Sequence, residues 1–62
     1  VNARVISTSK VWEFTDINTP VITHGGALEV RKMVEGSEYM PFSSYTILAA
    51  FAPMHWLRWE RM

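Results

Sequence analysis

The chain has 62 residues, 48% of them hydrophobic, with six basic and six acidic side chains and no cysteine. That length admits a single domain, 1–62, because so short a chain buries only about 60% of the surface it exposes when unfolded. The missing cysteines exclude a disulfide framework and a thiolate metal site, and the zero net charge leaves no field that would steer the protein toward phosphate or lipid.

Residues Val1 to Ser9 lack the cationic region and long apolar run of a secretory signal, which points to a soluble, cytoplasmic chain. Arg4-Val5-Ile6 and Val11-Trp12-Glu13-Phe14 then flank the polar run Ser7-Thr8-Ser9-Lys10, the pattern of a hairpin. Thr15 to Pro20 connects it to the clearest local signal in the sequence. This is Val21-Ile22-Thr23-His24-Gly25-Gly26-Ala27-Leu28-Glu29-Val30, two β-rich runs around a pair of glycines that tolerate the positive φ of tight turns. A two-residue loop at Gly25-Gly26 sets His24 opposite Ala27, Thr23 opposite Leu28, Ile22 opposite Glu29 and Val21 opposite Val30. One face then carries Ile17, Val21, Leu28, Val30 and Val34, and the other His24, Glu29 and Arg31.

Glu35-Gly36-Ser37 reads as a second turn and Glu38 to Phe42 as a short returning strand, placed at an edge by Pro41. Beyond it, Ser43-Ser44 offers an N-cap, and Tyr45 to Ala52 has the alanine and leucine content of a helix that Pro53 ends. This segment has no strongly polar side, so it must be buried all round or shared with another chain. The tail, Met54 to Met62, fits a short helix with Pro53 at its first position and fits a last strand equally well. The fold class expected from these elements is α+β: an antiparallel meander or partial barrel of four or five strands over 3–42, followed by one or two short C-terminal helices.

Catalytic and metal chemistry find little to work with. The only imidazoles are His24 and His55, no serine lies in a nucleophile-elbow pattern, and no His-x-x-x-His or calcium-loop spacing occurs. No enzyme activity, cofactor or metal is therefore expected. The most unusual stretch is Phe51 to Met62, where Trp56 and Trp59 mingle with Arg58 and Arg61, residue types enriched at the centres of protein interfaces. The same tryptophans would also serve to cover one end of a small sheet. The function expected is a non-catalytic binding or regulatory module that docks on another protein or on itself, with Phe51, Trp56 and Trp59 as anchors and Arg58 and Arg61 at the rim. The alternative is a DNA-binding regulator with a helix-turn-helix over 43–62 and the hairpin 21–34 as a wing, using His55, Arg58, Arg61, Arg31 and Lys32. Zero net charge weighs against that alternative.

Overall fold

The computed structural model of the protein describes residues 1–34 and 44–62. Among the described residues six strands form two antiparallel sheets: β1 (Ala3–Ser7), β2 (Val11–Phe14), β3 (Val21–Ile22), β4 (Leu28–Val34), β5 (Ser44–Phe51) and β6 (Trp56–Arg61). The first sheet has the order β2-β1-β6 and the second β3-β4-β5. The expected α+β class is thereby corrected to all-β, since no helix occurs among the described residues. None, accordingly, is long and apolar enough to cross a membrane. The turn expected at Glu35-Gly36-Ser37, the strand at 38–42 and Ser43 of the expected cap lie outside the described residues.

Each sheet is built around a central strand whose alternate residues point into the core, the period-2 pattern of a sheet covered on one side. In β1 these residues are Ala3, Val5 and Ser7, and in β4 they are Leu28 and Val30. Ile17, from the connection between the sheets, joins Ala3, Val5, Leu28 and Val30 in one buried cluster. Cross-strand pairing brings Trp12 and Trp59 opposite Val5, Phe14 opposite Ala3, Phe51 opposite Leu28 and Ala49 opposite Val30. The aromatic rings therefore roof the core from both sheets, and Trp12 meets Phe51 edge-on with ring centroids 5.8 Å apart.

Local chemistry explains the turns. Ser7 closes the β1–β2 loop: its Oγ donates to the Lys10 carbonyl at 2.7 Å and accepts from the Lys10 amide at 3.0 Å. In the β3–β4 hairpin the pairs are Val21 with Glu29 and Ile22 with Leu28, one residue out of the register expected from a two-residue loop. The loop is longer than that expectation because Gly26 donates to the Thr23 carbonyl at 2.9 Å and the Thr23 amide donates to Ala27 at 2.8 Å. Gly26 has φ of 90°, so the three residues His24-Gly25-Gly26 make a turn ending in a glycine bulge. A slip of one residue exchanges faces. Leu28 and Val30 are buried as expected, but Ile22, not Val21, shares their side, and Val21 lies beside Glu29.

The C-terminal third is where the helices were expected. Ser44 to Phe51 pairs with β4 over its whole length, and Trp56 to Arg61 pairs with β1. The helix content of Leu48, Ala49 and Ala50 is a weak preference, and the β-forming Tyr45, Thr46, Ile47 and Phe51 outweigh it once β4 offers a ladder. A helix over the same residues would have needed burial on every side, whereas the strand turns only Ala49 and Phe51 inward. Both strands carry one extra residue: Leu48 is skipped between the pairs Val30–Ala49 and Arg31–Ile47, and Leu57 between Ile6–Arg58 and Ser7–Trp56.

Candidate functional site

Of the residues expected to anchor a partner, Phe51, Trp56 and Trp59 are half-buried and packed on the core cluster. Trp56 is further held by its indole N–H, which donates to the Gly26 carbonyl at 3.0 Å. Arg58 and Arg61 are exposed on β6, where the Arg58 Nε donates to Glu60 Oε1 at 2.8 Å. The anchors thus lie against the core, with the arginines along the edge of the first sheet.

The helix-turn-helix expected over 43–62 is overturned by β5 and β6, which occupy its described part 44–62. Its contact residues do not converge on one element. His55 sits in the turn between β5 and β6, while Arg31 and Lys32 lie on β4 and Arg58 and Arg61 on β6. Arg31 hydrogen-bonds Glu29 through Nε at 2.9 Å and also through Nη2, and this partner raises the already high pKa of the guanidinium, keeping it charged. Lys32 Nζ is 3.5 Å from Asp16. Three of the five contact residues therefore face a carboxylate, which is not the stripe of free cations that a phosphate backbone requires.

Uncovered apolar surface is concentrated elsewhere, on the ribbon of β4 and β5. Its inner half, up to Arg31 on β4, rests on the core. Its outer half, Lys32 to Val34 and Ser44 to Leu48, is exposed on both faces. Met33, Val34, Tyr45, Ile47 and Leu48 are each about half exposed, from 47% to 52%. Tyr45 and Ile47 share one face with Arg31 and Met33, and the Arg31 guanidinium lies 4.4 Å from the centre of the Tyr45 ring. The molecule measures 42 × 25 × 14 Å, an elongated body.

Among the described residues, the outer edges of the two sheets differ in kind. Soluble proteins blunt an exposed strand edge with charge, shortness or a bulge. β2 has four residues and carries Glu13, β3 has two residues, and β6 carries Arg58, Glu60 and Arg61 together with its extra Leu57. β5 has eight residues, Ser-Tyr-Thr-Ile-Leu-Ala-Ala-Phe, with no charge and no proline. Its one irregularity is at Leu48, beyond the stretch Ser44 to Ile47.

Comparison with protein families, curated proteins and solved structures gives no match. What the site can do must be read from its chemistry. A shallow hollow of about 260 Å³ beside β4 is lined by Asp16, Ile17, Asn18, Lys32 and Met33, which include neither a histidine nor a hydroxyl nucleophile. Among the described residues no three histidine, aspartate or glutamate side chains gather where an ion could bind. The run Tyr45 to Ala52, expected as a helix with no strongly polar side that is buried all round or shared, forms instead most of a strand on which Ser44 to Leu48 are exposed. Its position on an edge strand depends on pairing with β4 and leaves no trace in the local sequence.

Proposed function

We propose that the chain is a non-catalytic protein-contact module that associates with a second copy of itself. The observation that carries this reading is the outer half of the β4–β5 ribbon, where Met33, Val34, Tyr45, Ile47 and Leu48 stand half exposed beside an uncharged edge strand. Met33, Tyr45 and Ile47 share one face of that half, and apolar surface of this sort supports a contact site, since covering it removes area from water. In this reading Phe51, Trp56 and Trp59 hold the ribbon's base against the core, and Arg58 and Arg61 lie along the other sheet. The absence of net charge favours the same conclusion, because two copies meet without long-range repulsion.

The test is molar mass in solution by light scattering across a dilution series at low and at moderate salt. A dimer that persists at both salts is expected, because apolar burial is not weakened by screening. A chain that stays monomeric throughout the series would end the self-association reading.

A further inference from the structure

The backbone of β4 fixes which groups of β5 face outward. The Asn18 amide donates to the Arg31 carbonyl at 2.9 Å, and the Met33 amide donates to Asn18 Oδ1 at 2.9 Å. The polar groups of Arg31 and Met33 therefore point away from β5. In an antiparallel ladder the direction alternates residue by residue, so those of Lys32 point toward β5, where Lys32 pairs with Thr46. On β5, in turn, Thr46 directs its N–H and C=O at β4, and Tyr45 and Ile47 direct theirs at the open edge.

Two outward-facing residues symmetrically placed about an inward-facing one are a self-complementary set. We infer that two copies join edge to edge along β5, antiparallel, about a twofold axis passing beside Thr46. In that register Tyr45 of one copy exchanges both backbone hydrogen bonds with Ile47 of the other, and the reverse pair does the same, so that no outward group of the two residues is left over. A shift of one residue would set outward groups against inward ones. Side chains agree with the backbone: Tyr45 lies beside Ile47 of the second copy on one face, an aromatic and β-branched pair, and Thr46 meets its own copy on the other face, a threonine pair. Ser44 to Phe51 holds no charge, so no like charges are opposed. The association also gives the ribbon what it lacks, because an isolated two-stranded ribbon is marginal in water, and the joined outer halves form four strands, β4-β5-β5-β4.

This inference rests on the self-association proposed above and adds the strand and register. The chain has no cysteine, so Thr46→Cys introduces a single thiol. Thr46 faces its copy in a non-hydrogen-bonded pair, whose Cα separation of about 4.5 Å suits a disulfide. Mild oxidation is expected to link the variant into a covalent dimer much faster than Ile22→Cys, which is also exposed, on β3. Thr46→Lys and Thr46→Glu are each expected to weaken the dimer about tenfold or more by placing like charges opposite each other, and mixing the two variants to restore it as a heterodimer. Circular dichroism checks that each variant stays folded. A wild-type dimer that Thr46→Lys leaves equally tight would overturn the β5 contact while leaving self-association standing. A wild-type monomer would overturn both.

Discussion

Trp56 donates its indole N–H to the Gly26 carbonyl at 3.0 Å, and this bond joins the first residue of β6 in one sheet to the hairpin loop of the other. The ring beneath it packs on the shared core, so one side chain serves as both filler and tie. Trp56→Phe keeps most of the apolar ring and removes the donor, leaving the Gly26 oxygen without this partner. The expected loss is about 1–3 kcal/mol, seen as a lower urea midpoint with an unchanged slope.

Leu28 is fully buried at the centre of the second sheet. Truncation to alanine at such a site costs about 2–5 kcal/mol, and a domain of this size commands a net stability of only about 3–5 kcal/mol. Leu28→Ala is therefore expected to be largely unfolded at room temperature by far-ultraviolet circular dichroism. Leu57→Ala, at a bulge position 64% exposed, should stay within about 0.5 kcal/mol of the parent.

The two adjacent glycines of the hairpin should respond with opposite signs. Gly26 has φ of 90°, and a side chain there strains the backbone, so Gly26→Ala is expected to destabilise by about 1 kcal/mol or more. Gly25 has no positive φ, and a Cβ there would touch nothing within 4 Å. Gly25→Ala is expected to gain about 0.4–1 kcal/mol through a less flexible unfolded chain. Thermal melts of the two variants compare them directly, and equal losses would contradict the turn geometry.

Asn18 separates a side-chain bond from a backbone one. Asn18→Ala removes the acceptor of the Met33 amide and keeps the Asn18 amide on the Arg31 carbonyl. Amide exchange followed by NMR should show Met33 exchanging faster while the backbone amide at position 18 stays protected, with a stability loss of about 0.5–1.5 kcal/mol.

How far the sequence foretells this molecule depends on whether a feature is local. The strand at Val11 to Phe14 lies where its β-branched and aromatic residues point. The turn at Gly25-Gly26 is equally visible, but its length is not, because the Thr23 hydroxyl accepts the Ala27 amide at 3.2 Å and helps draw His24 into a three-residue loop. The strands β5 and β6 were masked for a different reason. Each contains a skipped leucine, Leu48 or Leu57, that interrupts the alternation by which a strand is recognised; in β5 the alanines and leucine left in view read as helix, and in β6 helix and strand read equally well, of which the strand is the one formed. The same limit applies to the candidate site. Trp56 and Trp59 announce a large apolar contribution, yet residue type does not say whether the rings face the core or a partner. Tyr45, Thr46 and Ile47 are ordinary residues until β4 fixes which of their groups face the edge.

Asn18 lends the outer side of β4 the two bonds that a neighbouring strand would otherwise make, and so gives the second sheet a closed flank as well as an open one. A sheet open on both flanks can recruit copies without end and grow into a fibre, while a one-ended sheet is saturated by its first encounter. With β3 short and β4 occupied beyond it, the association proposed through β5 would stop at two chains, and a single asparagine outside the strands would help to set that limit on size.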